Sequence, residues 1–291
     1  MSNEIDVAFV QQYNTNVALL LQQMGSKLRD RVMVGNYVGK SGKAVEQIGK
    51  VAAQLKTSRH ADTPLIETPH DARWVNPADY EWADLIDDQD KIRMLVDIQS
   101  PYARNGAMAL GRACDQVIID AFFGTAKTGA DGTTNTTLAG DNATTIAGNS
   151  EGLTVAKLRQ AKEIMMSEQV DLENDTLYCV LASDQHEDLL EETQVISMDY
   201  GNQPVLAEGK IDRFMGFEFI HSELLPSAGG SSERQVMCYA KSGMHLGIWN
   251  DITTSIDRRP DKSNATQVYV SGTFGATRLE GEKFVEIECA E

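Results

Sequence analysis

The chain reads as an α+β protein, and three observations carry that reading. One long amphipathic helix stands near residues 100–124, β-prone arms without a core of their own precede it, and short helices alternate with strands after it. In the long helix, Ser100 is placed as the N-cap, and Pro101 takes the first helical position, where its missing N–H costs nothing. Ala107, Leu110, Cys114, Val117 and Ala121 mark an apolar stripe that Gly111, Ile118 and Phe122 widen, and Gly124 stops the helix. At ~1.5 Å per residue such a rod is roughly 35 Å long, close to the width of a domain.

The stretch before the helix divides into three pieces. Val7, Val10, Tyr13, Val17, Leu20 and Met24 recur three or four apart and predict an arm helix that ends near Gly25. Arg31 to Val38 is β-prone, Gly39–Gly42 punctuates it, and Val45 to Leu55 predicts a strand with a bulge. Residues 57–72 are polar, with Pro64 and Pro69, and predict an exposed loop tip. Trp74, Val75, Tyr80, Trp82 and Leu85 then predict a strand returning along the first. A hairpin of this length has too little apolar content to fold alone, so its surface is expected to be buried against another chain.

After the long helix, Lys127–Asn149 is rich in Gly, Thr, Asn and Ala and predicts a polar loop or small hairpin. Thr154 is placed as the N-cap of a helix lined by Val155, Leu158, Ala161, Met165 and Met166. Leu177–Ala182 is a short apolar run of buried-strand type, and Asp184 and Glu187 behind it have capping-box spacing. Residues 209–222, 235–240, 244–249, 266–274 and 284–289 predict the remaining strands.

Composition narrows the function classes. The chain has 291 residues, 42% hydrophobic and 24% charged, with no apolar run near the ~20 residues that span a bilayer. The N-terminus carries Glu4 and Asp6 where a secretory signal would carry bases. Cys114, Cys179, Cys238 and Cys289 are scattered and predict free thiols. The net charge of −17 is uneven: residues 1–60 carry +4 and the remainder −21. A basic arm lying across the acidic body of a neighbouring copy would use that asymmetry, whereas sequence-specific DNA binding is disfavoured.

No motif of catalysis, metal binding or phosphate binding is complete in the sequence. Gly39-Lys40-Ser41 lacks the glycine that a phosphate-binding loop needs at position 34, which is Val34. Gly124 and Gly129 have that glycine spacing, but Ala130-Asp131 stands where Lys and Ser or Thr must follow. His60 and His70 flank acids on the expected loop tip without metal-ligand spacing, and His186, His221 and His245 read as ordinary surface or strand-end residues. No nucleophile elbow exists, so the reading is a non-enzymatic chain without cofactor or metal.

The order of parts then resembles a known family. Gln22–Leu28 in the arm, Asp97–Arg104 opening the long helix, Leu110–Asp115 within it, Val180–Asp184, Phe214–Phe219 and Glu282–Ile287 follow one another as they do in the major capsid proteins of tailed bacteriophages. That shell fold is shared with herpesvirus capsids and encapsulins. The resemblance implies an N-terminal arm (1–30), a β-hairpin extension loop (31–86) and a peripheral domain (87–149 and 236–291) with a spine helix at 100–124. An axial domain (150–235) completes it. It implies a subunit that forms pentamers and hexamers of itself in the host cytoplasm and tiles an icosahedral virion shell around double-stranded DNA. A separate scaffolding protein is expected, because the extension loop begins about thirty residues from Met1 and leaves no room for a fused scaffold. A portal protein and, in some shells, a decoration protein are further partners. Inter-subunit contacts are expected at Val17, Leu20, Met24, Lys43, Lys50, Lys56, Arg59, Trp74 and Trp82, and helix packing at Leu110, Cys114, Val117, Ile118 and Phe122. An encapsulin shell of the same fold, or an α+β enzyme with an unrecognised site, are the alternatives.

Overall fold

The computed structural model describes residues 22–59, 62–63, 65–87, 99–192, 195, 211–228 and 233–291, the side chains of residues 99 and 100 aside. The arm helix with Val17 and Leu20 therefore lies outside the described residues, whereas the backbone of Ser100, expected as an N-cap, is already helical, the helix running from Gln99. Those that are described form helices α1 (Gln99–Phe123), α2 (Val155–Ser167) and α3 (Ser183–Glu191) and three sheets. The chain divides into two compact units. The smaller comprises Met1–Ser26, Asp79–Ala113 and Asn250–Gly272, and the larger comprises Lys27–Ala78, Cys114–Trp249 and Thr273–Glu291.

The larger unit is built on a six-stranded sheet of β7 (Thr144–Ile146), β8 (Leu177–Leu181), β9 (Arg213–Phe214), β10 (Phe217–His221), β11 (Glu233–Ala240) and β14 (Phe284–Ala290). Its order is β7-β14-β11-β8-β10-β9. All five residues of β8 are buried, which is why this strand reads as an unbroken apolar run instead of an alternation. Helix α2 lays Leu158, Ala161 and Met165 into the same core as Leu177, Cys179, Phe217, Val236 and Val285. Met166, assigned to that face from the sequence, is 59% exposed: next to Met165 on a helix, it points about 100° away.

Local chemistry explains where these helices start. The Thr154 hydroxyl accepts from the Lys157 backbone N–H at 3.4 Å, as an N-cap should. In α3 the sequence reading was two residues out. Gln185, not Glu187, reaches back to the entry of the helix, accepting from the Ala182 N–H at 3.3 Å, while Asp184 sits in the positively polarised first turn.

A second sheet has the order β2-β3-β5-β6, from β2 (Gly42–Ile48), β3 (His70–Val75), β5 (Ala126–Thr128) and β6 (Thr134–Thr136). All of its pairings are antiparallel, and β2 is bulged between Lys43 and Val45. The third sheet has the order β1-β12-β13-β4, from β1 (Met33–Asn36), β12 (Met244–Arg259), β13 (Ala265–Arg278) and β4 (Ala78–Ile86).

Three sequence expectations change here. The returning strand drawn from Trp74 to Leu85 is two strands, β3 and β4, in different sheets. Asn76-Pro77 separates them, because proline supplies no N–H to a ladder. β1 pairs in parallel with β12, so it is not the outgoing arm of the hairpin, which is β2 and β3. The boundary drawn at 235/236 also falls inside β11, whose seven-residue pairing with β14 joins the C-terminal strand to the central sheet.

Candidate functional site

Among the described residues no group of three or more His, Cys, Asp or Glu side chains is arranged to hold a metal, and no helix is long and apolar enough to cross a membrane. All four cysteines are buried free thiols. The Cys238 thiol directly across the sheet, together with burial, pushes Cys179 well up, and burial pushes Cys289 up to about 12. Such thiols stay protonated and make poor nucleophiles. His221 meets Glu223 at 2.8 Å on the surface, and His60 lies outside the described residues.

The feature left without an internal explanation is the hairpin. Twelve large apolar side chains are exposed among the described residues, and eight of them fall in residues 33–66. Val38 (97%), Leu55 (88%) and Leu65 (98%) are almost fully in water. Beside them Lys50, Lys56 and Arg59 are exposed and make no ion pair among the described residues. Lys43 is partly engaged: its ammonium bonds Glu46 at 2.7 Å and lies 5.5 Å over the Trp74 ring. Five of the eight exposed apolar side chains, Ile48, Val51, Leu55, Leu65 and Ile66, lie in the hairpin between Gly42 and Val75.

The root of this hairpin is anchored by groups that sequence reasoning missed. Arg73, on β3, donates from Nη2 to Asp141 at 2.6 Å and from Nε to Gln47 at 3.2 Å. The other oxygen of Asp141 faces the fully buried guanidinium of Arg278. Arg278 Nη1 in turn donates to the carbonyls of Ala121 (2.9 Å), Phe122 (2.6 Å) and Gly124 (2.7 Å). Those are end-of-helix acceptors of α1, so the C-terminal partial charge of the helix is met by a cation. A relay of buried charges thus ties hairpin, loop and helix end together. One signal was in the sequence: a charge inside an apolar strand pattern, as in Ala72-Arg73-Trp74-Val75.

Tyr37 packs the other side of the root. Its ring centroid lies 5.2 Å from Trp249 and 5.7 Å from His245, edge-on to the latter, and its hydroxyl meets His245 Nε2 at 2.7 Å. A Cβ at Gly42 would come within 2.5 Å of that ring, so the close approach calls for glycine there. Burial lowers the His245 pKa from its ordinary value of 6.5.

The remaining candidates are placed as follows. Met24 is 65% exposed. Trp74 is half-buried, with Nε1 donating to the Gly129 carbonyl at 2.8 Å. Trp82 is half-buried against Ile86 and Val268, so both tryptophans spend much of their surface inside the chain. On α1, Leu110, Cys114, Ile118 and Phe122 are buried and Val117 is half-buried. The buried face also takes in Met108, Ile119 and Asp115. Asp115 is fully buried, and its carboxylate accepts the backbone N–H groups of Lys27 (2.9 Å) and Leu28 (3.0 Å). Residues 27 and 28, counted with the arm from the sequence, are therefore pinned inside the larger unit. In the smaller unit Arg112 donates to Gln22 Oε1 (2.8 Å) and to the Gln23 carbonyl (3.2 Å), beside Gly111, where a Cβ would collide with Gly25.

Comparison with known proteins points to a structural role. No curated protein sequence matches the chain. Its structure is similar to the capsid of cyanophage P-SCSP1u, at TM-score 0.76 and 18% identity over 99% of this chain and 94% of that one. It is also similar to the capsid asymmetric unit of cyanophage Pam1 (0.75, 14%, 97% of each chain) and to the capsid of a native GTA particle (0.71, 14%, 97% and 95%). A family profile described as phage capsid protein matches residues 5–291. The chain belongs to the phage capsid protein family and is a structural subunit of a phage head.

Proposed function

We propose that copies of this subunit close into pentamers and hexamers and tile an icosahedral shell around double-stranded DNA. The hairpin of each copy, with the N-terminal arm, lies across its neighbours. The observation that carries this reading is the hairpin itself: an anchored root and a part in which Val51, Leu55 and Leu65 are exposed and Lys50, Lys56 and Arg59 make no ion pair among the described residues. The charge of −21 over residues 61–291 suits a container that encloses DNA without gripping it, since phosphate binding requires a net release of counterions by bases. Assembly in the host cytoplasm on a separate scaffolding protein, with a portal at one vertex and a decoration protein outside, belongs to the same reading. Electron microscopy and sedimentation of the purified full chain, with and without its scaffold, test it. Closed shells or rings are expected. A sharp monomer of 31.9 kDa across micromolar concentrations, with no particles on added scaffold, would contradict it.

A further inference from the structure

The central sheet holds a thiol pair that the shell reading does not use. In the antiparallel pairing of β11 with β8, Cys238 stands directly opposite Cys179. Directly opposed residues project to the same face of a sheet, here the face that packs on α2, and both side chains are 0% exposed within that core. The two thiols are hydrogen-bonded to one another, so sulfur already faces sulfur. Opposed Cα atoms of an antiparallel pair lie about 4.5 or about 5.5 Å apart, according to their place in the ladder, and a disulfide accepts about 4.4–6.8 Å. The other cysteines lack that placement: Cys289 stands opposite Arg234, and Cys114 lies on α1.

We propose that Cys179 and Cys238 are a redox staple, which hydrogen peroxide closes into a disulfide across β8 and β11. One sulfur attacks the peroxide O–O bond, giving a sulfenic acid and one water. The second sulfur then displaces the sulfenic oxygen as a second water, and the S–S bond forms. Two thiols and one peroxide thus become one disulfide and two waters, the sulfurs losing two electrons and the peroxide gaining them. Burial sets the tempo. The attacking species is the thiolate, and Cys179 stays protonated well above the ordinary thiol range, so closure is slow and waits on local opening of the sheet. The same burial shields the finished bond from reductants. Reducing cell interiors keep such pairs open, whereas aerated surroundings do not. The bond encloses α3, β9 and β10 and ties them to β11. It forms within one chain, so it needs no shell.

Oxidation of the purified full chain tests the proposal. Wild type treated with millimolar hydrogen peroxide, then unfolded and blocked with N-ethylmaleimide, should yield a linked Cys179–Cys238 peptide in mass spectrometry. Cys114 and Cys289 should be found blocked as free thiols. The thermal midpoint should rise by about 5–10 °C, because closing a loop of this length restricts the unfolded chain. Cys179→Ala, treated alike, should lose the rise, and Cys289→Ala should keep it. Sulfoxide at the exposed Met24 and Met166 certifies that oxidant reached the protein in every sample. The linked peptide is read in wild type and so does not depend on a variant folding. In samples so certified, four blocked cysteines, a bridge from Cys179 or Cys238 to any other cysteine, or a midpoint unmoved with the bond in place would overturn the staple.

Discussion

The central sheet and the hairpin belong to one compact unit, yet they solve opposite problems. Strands β8, β11 and β14 and helix α2 bury Val180, Met237, Tyr239, Phe284 and Met165 completely, so this region is finished within its own chain. The hairpin exposes Leu55 and Leu65 almost completely, and buried charges anchor its root. Buried packing is therefore concentrated in the central sheet, and exposed apolar surface in the hairpin. A substitution in one region should register in unfolding, and in the other only in association.

The largest expected effect lies in the buried relay. Arg278→Met leaves Asp141 with Arg73 alone and strips the end of α1 of its cation, which should cost about 3–5 kcal/mol of unfolding free energy in denaturant titrations. A loss below about 1 kcal/mol would mean the relay does not hold the root. Next come Leu158→Ala and Met165→Ala, at about 2–5 kcal/mol each, because both side chains are fully buried beside the sheet. Leu55→Ser and Leu65→Ser should move the unfolding midpoint by no more than about 0.5 kcal/mol and still suppress shell formation. Equal destabilisation by both sets would erase the distinction between the regions.

Much of the finished region was legible in the sequence. The apolar run of β8, the Thr154 cap and the turn and strand that end at His221 follow from propensity and spacing, which are local properties. The hairpin was legible as a deficit of apolar partners, but not in its pairing. β1 joins β12 some two hundred residues away, a choice that no local pattern encodes. Asn76-Pro77 did carry the break between β3 and β4. The buried ions were hidden for a different reason. Asp115, Lys157 and Arg278 look like surface charges in a list of residues, and only the fold brings them their backbone partners. The Lys157 ammonium, for instance, meets the carbonyls of Gly148, Glu151, Gly152 and Glu288 at 2.8–3.0 Å.

A smaller effect concerns pH at the root. Burial depresses the His245 pKa below 6.5, so the stability tied to its neutral form is complete above that value and is lost as pH falls through the folded-state pKa. Lowering pH from about 8 to about 5 should therefore loosen the Tyr37–His245 contact, and His245→Gln should flatten part of the dependence. His186, also depressed by burial and by the nearby His221 charge, contributes a slope of the same sign, so His186→Gln is the control. An unchanged pH profile in His245→Gln would remove His245 from the account.

Hydrogen–deuterium exchange of the free subunit and of the assembled shell, read peptide by peptide, tests the central claim most directly. Peptides from β8, β11 and β14 should be protected in both states, whereas residues 48–59 should exchange freely in the subunit and become protected in the shell. Residues 48–59 already protected in the free subunit, or still unprotected in the shell, would contradict the division between a finished core and a hairpin completed by its neighbours.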